Sequence, residues 1–192
     1  MKVKFFPFGP LLFNCTVSEE DCKSIEKLFV KDDKLSHHKK LAGHIKHEYK
    51  IEKEKLNIIL RKYLNAFEGA HENYYLNKKN FFINDSWVNF MKKGDFNPIH
   101  THNLCDFSAV LFIKVPNEIK EEHANFEGQG FGAGVLTFIT GTQTVNFISQ
   151  RSFFPEEREL FIFPKDLLHY VAPFKSDVER VSVAFNLEGH GG

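Results

Sequence analysis

The chain has 192 residues, 42% of them hydrophobic and 26% charged, with 25 basic residues balancing 25 acidic ones. That length suits one domain with a substantial core and a helical annex. The balanced charge argues against a nucleic-acid partner held by phosphate neutralisation, and no apolar stretch is long enough to span a membrane.

Residues 2–13 read as a strand interrupted by Pro7 and Pro10, suited to a sheet edge. The two prolines and Gly9 also break the apolar part that a signal peptide would need. Ser18 followed by Asp21 resembles a capping box, and Glu19 and Glu20 suit a positive helix end. Cys22, Ile25, Leu28 and Phe29 follow at helical spacing, which predicts a helix over residues 19–30. Residues 31–49 are polar and rich in Lys and His and read as a loop, with residues 41–45 ordered against something. His37, His38, His44 and His47 read as solvated, because no partner cluster accompanies them. A second helix fits residues 52–71, with Leu56, Ile59, Leu60, Tyr63 and Phe67 on one face.

From Phe81 the pattern changes to short strands, predicted at 81–83, 87–92, 99–102, 107–115, 134–140, 142–149, 159–164, 169–172 and 179–187. Strands at this frequency suggest a sandwich or barrel. The 22 phenylalanines point to a core built mainly on rings. Residues 117–134, with Gly128, Gly130, Gly132 and Gly134 near their end, read as a flexible loop and a candidate lid. The expected architecture is mainly β with a helical N-terminal part (α+β), as one domain over 1–192. A helical support would occupy about residues 14–75 and a β-barrel core about 80–188. Cys15, Cys22 and Cys105 form no Cys-x-x-Cys pair, which reads as a reduced, cytoplasmic protein.

Three features carry chemistry. His100 and His102, two residues apart on a predicted strand, would point to one face. His169 follows an apolar strand and a Pro164 turn that could bring it against that pair, completing a three-nitrogen metal site. Alternation along 179–186 places Arg180, Ser182 and Ala184 on one face and Val181, Val183 and Phe185 on the other. A guanidinium inside a barrel needs an anion, and its planar fork matches a carboxylate.

The ordered set resembles the double-stranded β-helix (jelly-roll, cupin-like) oxygenases that depend on Fe(II) and 2-oxoglutarate, and more narrowly a group of such oxygenases from bacteria and phages. The matching positions are Trp87 and Asn89; Gly94, Pro98, His100 and His102; Ser108, Val110, Val115 and Pro116; Phe163, Pro164, His169 and Val171; and Glu179, Arg180, Ser182, Phe185 and Asn186. Phe6-Pro7 and the set Leu41, Gly43, Ile45, Glu48 and Tyr49 also look like that group. The resemblance implies a dioxygenase that couples oxidative decarboxylation of 2-oxoglutarate to hydroxylation of a substrate. His100, His102 and His169 would hold Fe(II); Arg180 and Ser182 would bind the cosubstrate, with Asn89 helping to bind cosubstrate or substrate. Partners would be molecular oxygen and a small-molecule or peptide substrate; the oligomeric state stays open, a homodimer included. The superfamily's usual first motif is His-x-Asp or His-x-Glu, whereas His102 stands second here. Asp106 is the competing ligand, four residues on. The alternative is a cupin-type metalloenzyme, a thiol dioxygenase or isomerase, without 2-oxoglutarate.

Overall fold

The computed structural model describes residues 3–6, 9–128, 132–141 and 149–191. Within the predicted first strand lie β1 (Val3–Phe6) and β2 (Leu12–Thr16), an antiparallel pair with β1 at a sheet edge. Helix α1 (Glu19–Glu26) is capped by Ser18, whose hydroxyl accepts from the Asp21 N–H at 3.2 Å. It ends before the predicted residue 30, yet Leu28 and Phe29 still pack against the core. Inside the stretch read as a loop lies a three-residue strand, β3 (Glu48–Lys50). Helix α2 (Lys53–Tyr75) buries Leu56, Leu60, Tyr63, Leu64 and Phe67, and runs past the predicted end at residue 71.

Eight strands follow among the described residues. They are β4 (Lys79–Met91), β5 (Asn97–His100), β6 (Phe107–Lys114), β7 (Leu136–Ile139), β8 (Gln150–Phe153), β9 (Glu159–Pro164), β10 (Leu168–Val171) and β11 (Arg180–Gly191). The separate strands predicted at 81–83 and 87–92 are one strand, because pairing with β11 continues through Asp85 and Ser86 and resumes at Ile83 past a bulge at Asn84. The strand predicted at 142–149 lies, apart from residue 149, outside the described residues, as does Gly130. The segment after β6 begins as a helix, α3 (Asn117–Ala124), which corrects the reading of 117–134 as loop throughout. Its Lys and Glu residues favour a helix, but only Ile119 is buried, so no apolar stripe announces it.

The larger sheet has the order β1-β2-β9-β6-β11-β4-β3, the smaller β5-β10-β7-β8. All the pairings are antiparallel. The eight strands after α2 divide four and four between the sheets, which is a jelly roll. Strands β1, β2 and β3 extend the larger sheet at its two edges.

Two apolar cores result. One lies between the larger sheet and the helices α1 and α2, where Phe67 meets Phe13, Phe81 and Phe107 with ring centroids 5.0–5.6 Å apart. The other lies between the sheets, where Phe138, Phe153, Phe161 and Phe163 interlock. Buried rings contribute roughly 1.5–3 kcal/mol each, so the phenylalanine-rich composition is used on both sides of one sheet. No helix is long and apolar enough to cross a membrane among the described residues.

Asp21 joins the two N-terminal helices. Its Oδ2 accepts from Ser18 Oγ (2.6 Å) and Tyr63 Oη (2.6 Å) and lies 2.7 Å from Lys62 Nζ. Partial burial raises its pKa, but the bonds from Lys62, Ser18 and Tyr63 outweigh that and hold it below the ordinary aspartate value. A lowered folded pKa adds stability that is present above the unfolded value and lost as pH falls through the folded one. Asp21→Asn should therefore destabilise the protein at neutral pH by about 1–2 kcal/mol in urea unfolding. The gap from the parent protein should close as pH falls below the aspartate range.

Candidate active site

Between the sheets is a cavity of about 630 Å³. On its smaller-sheet side, β10 pairs with β5 so that His169 stands directly opposite His100. Their ring centroids are 4.2 Å apart. His102 lies beyond the end of β5, not on a continuing strand as the sequence suggested. Its N–H donates to Lys165 O at 2.9 Å, and this ties it to the turn before β10. Its ring stacks on His169 at 5.1 Å and an interplanar angle of 9°, with the two Nε2 atoms 3.2 Å apart. One ligand nitrogen from each of the three imidazoles lies within 4.8 Å of the others.

Backbone carbonyls set the direction of two of these rings. His100 Nδ1 donates to Pro98 O at 2.7 Å and His169 Nδ1 to Leu167 O at 2.8 Å. Each bond leaves Nε2 as the acceptor, the arrangement that outer hydrogen bonds give to metal-bound histidines. Burial pushes all three pKa values down. His102 is lowered to about 4, with the neighbouring His100 adding to the effect, and His169 falls well below the ordinary value. The imidazoles are thus neutral near pH 7, the form that binds metal.

The larger sheet supplies the opposite wall. Arg180, Ser182 and Ala184 face the cavity, and Val181, Val183 and Phe185 face the helical core, as alternation predicted. Arg180 is 2% exposed. Its Nη1 donates to Gly134 O at 2.8 Å, its Nη2 lies 2.8 Å from Met91 Sδ, and its Nε has no partner among the described residues. Gly134 has φ +70°, and a Cβ there would stand 2.8 Å from Ile119 Cγ2, so the chain can approach the guanidinium only as glycine. Burial lowers the Arg180 pKa to about 10, which leaves it charged at neutral pH. No carboxylate bonds it among the described residues. A buried cation in that position costs several kcal/mol until an anion arrives.

Asn89 stands opposite Ser182 and donates from Nδ2 to its Oγ at 3.4 Å, while Asn89 Oδ1 has no partner. On the far side of Asn89 is Glu48, a cavity residue that sequence reasoning left without a role. It is 2% exposed, its Oε2 has no partner, and burial, with Asp95 adding, pushes its pKa up to about 8. The signal was present in the sequence. Glu48 and Lys50 alternate with Tyr49 and Ile51, but the polar residues are the inward ones.

Asp106 does not join the imidazoles. Its Oδ2 accepts from Gly189 N at 2.9 Å and lies 3.9 Å from Lys79 Nζ. The regular strand that would have aligned it with His102 is broken at Leu104, whose φ is +59°. His37, expected to be solvated, is buried, with Nε2 3.5 Å from Asp85 Oδ2. His44 stacks on Phe96 at 4.5 Å, which accounts for the order of residues 41–45.

The family described as "Putative 2OG-Fe(II) oxygenase" matches residues 85–186, just over half of the chain. No curated protein matches the chain in sequence. Among solved structures, it is similar to an oxidoreductase of the 2OG-Fe(II) oxygenase family from Burkholderia pseudomallei. The TM-score is 0.60 at 12% identity, covering 94% of this chain and 85% of that one. The viral collagen prolyl hydroxylase of Paramecium Bursaria Chlorella virus-1, solved with 2-oxoglutarate, gives a TM-score of 0.57 at 14% identity over 93% and 96% of the two chains. HygX from Streptomyces hygroscopicus, solved with nickel and 2-oxoglutarate, gives 0.54 at 9% identity over 92% and 82%. At such identities these likenesses speak for the fold. Three neutral nitrogen donors suit a first-row metal such as Fe(II), and an unpaired guanidinium suits a dicarboxylate. A cupin-type thiol dioxygenase or isomerase is not favoured. The chain belongs to the 2OG-Fe(II) oxygenases, enzymes that use Fe(II), 2-oxoglutarate and molecular oxygen to oxidise a substrate.

Proposed function

We propose that His100, His102 and His169 hold the iron, and that Arg180 and Ser182 receive the far carboxylate of 2-oxoglutarate. One observation carries this reading. Three neutral imidazoles and a buried guanidinium lacking an anion line the same hollow. The iron and 2-oxoglutarate, when bound, supply the oxidation: dioxygen is consumed as 2-oxoglutarate becomes succinate and carbon dioxide, and one oxygen atom goes to the substrate. The protein's share is to bind, orient and exclude water. The carbonyls of Pro98 and Leu167 keep two Nε2 atoms aimed inward. Phe163, 4.6 Å from the His169 ring, keeps water from that flank. Asn89, held by Ser182, offers Oδ1 to a donor on the substrate, since the 2-oxoglutarate dianion carries none. A cavity of about 630 Å³ suits a small molecule or one side chain of a peptide beside the cosubstrate. Residues 1–192 work in this reading as one oxygenase domain, with α1 and α2 bracing the outer face of the larger sheet.

The direct test is succinate formation from 2-oxoglutarate with Fe(II) and oxygen, together with calorimetric binding of 2-oxoglutarate to the metal-loaded protein. Absence of both overturns the reading. His169→Ala should weaken Ni(II) or anaerobic Fe(II) binding beyond the roughly 100-fold that loss of an outer hydrogen bond can cause. Asp106→Asn should leave metal binding unchanged; the opposite pattern would move the ligand role to Asp106. Arg180→Met should weaken 2-oxoglutarate binding by ~30-fold or more, about 2 kcal/mol. The same change should raise the melting temperature of the ligand-free protein, since an apolar chain replaces a buried unpaired cation.

A further inference from the structure

Six buried side-chain polar atoms lack a partner among the described residues, and five of them belong to residues lining the one cavity. Arg180 Nε is the single donor. The other four are oxygens: Glu48 Oε2, Asn89 Oδ1, Asn84 Oδ1 and Asn186 Oδ1. Two of the amides have their orientation fixed by their nitrogens, since Asn89 Nδ2 donates to Ser182 Oγ at 3.4 Å and Asn84 Nδ2 to Leu104 O at 2.8 Å. Buried acceptors left without donors are costly, so a ligand that fills this wall has to bring N–H or O–H groups.

The oxygens are spread along the sheet. Glu48 and Asn89 share a row with Ser182, and Asn186 sits opposite Asp85 and Ser108 further along β11. Arg180, with the anion it lacks, stands at the start of β11 beside Met91. Among the described residues, no basic side chain of the cavity, Lys40 included, pairs with Glu48. Lys50 bonds Asp85, and His37 faces Asp85 at 3.5 Å. Arg180 directs Nη1 to Gly134 and Nη2 to Met91.

Building on the oxygenase reading, we propose that Glu48 anchors the primary substrate, and that the substrate presents an ammonium group there with hydroxyl or amide donors for Asn84 and Asn186. The substrate class is thus a small, donor-rich amine, or the amine-bearing side chain of a peptide. Glu48 plays no part in holding cosubstrate or metal. Burial and Asp95 push its pKa up to about 8: without a cation the carboxyl tends to keep its proton, and it becomes an acceptor in need of a donor once it ionises beside one. An ammonium ion that meets the ionised carboxylate there replaces the water both have lost with a charge-assisted hydrogen bond.

The test uses two matched probes, 4-amino-1-butanol and 1,4-butanediol, titrated by NMR into the protein loaded with Ni(II) and 2-oxoglutarate. The amine should bind about tenfold more tightly than the diol. Glu48→Gln, which keeps the shape and removes the charge, should abolish that preference while 2-oxoglutarate affinity stays as in the parent protein. Equal affinity for the two probes, no binding of either at the highest concentration the folded protein tolerates, or a preference that survives Glu48→Gln would each overturn the proposal and leave these oxygens as sites for ordered water only. The probe comparison on the parent protein stands even if the variant fails to fold. A separate titration of 2-oxoglutarate alone distinguishes the two readings. If it does not bind but the amine preference persists in the metal-free protein, the cosubstrate assignment fails and the Glu48 assignment does not.

Discussion

The larger sheet is covered on both faces, by helices on one side and by the cavity and the smaller sheet on the other, and its pleat decides which residue goes to which. On β11, Val181, Val183, Phe185 and Leu187 enter the helical core, while Arg180, Ser182, Ala184 and Asn186 face the hollow. On β4 the parity is reversed, with Val88 and Phe90 packed outward and Trp87, Asn89 and Met91 turned in. The antiparallel register matches the two patterns by setting Val181 opposite Phe90 and Ser182 opposite Asn89. A slip of one residue would drive a guanidinium into a core of phenylalanines and carry valines into the cavity. Apolar packing and placement of the polar groups are therefore one specification.

The smaller sheet solves a different problem, holding three imidazoles close together without letting them charge. Pairing of β10 with β5 sets His169 beside His100, and the Lys165 carbonyl holds the backbone of His102 against the same turn. Rings this close would repel one another if protonated, and burial excludes the water that would solvate the charge. If this trio holds the metal, as proposed, the absence of a carboxylate from it leaves a divalent ion with its full charge. That favours a dianionic cosubstrate, and the guanidinium on the facing sheet adds to the same positive field. It also forgoes the attraction by which an acidic ligand helps to retain iron.

Much of this was legible because β11 alternates clearly and β9 is a short apolar run closed by Pro164, with His169 five residues on. Residues 159–164 were read with their observed bounds, and the facing of Arg180 followed from alternation alone. Other parts were hidden for identifiable reasons. Strand β3 inverts the usual rule, because its polar residues point into a hollow and its apolar ones outward to helices. Helix α3 carries one buried residue, too few to show a period. Asp106 looked suitable only while the strand was taken as regular past His102, and the left-handed turn at Leu104 ends that alignment. His37 read as loop because its partner, Asp85, lies far away in sequence on β4.

The cavity concentrates buried groups that the free protein leaves unsatisfied, and this has consequences for how its ligands interact. A buried cation at Arg180 and a set of bare oxygens around Glu48 both weaken the fold locally. The two ring-packed cores on either side of the larger sheet supply the stability that tolerates them. Any ligand that satisfies these groups stabilises the folded chain by mass action. The charges also couple. On the proposed assignments, a dicarboxylate at Arg180 would remove net positive potential from the hollow, and in a poorly screened interior that would favour a cation arriving at Glu48. Coupling of this kind is reciprocal, so an ammonium at Glu48 tightens the hold on the dicarboxylate by the same factor. Under those assignments cosubstrate and substrate would assist each other through the field of the cavity, without any movement of the sheets.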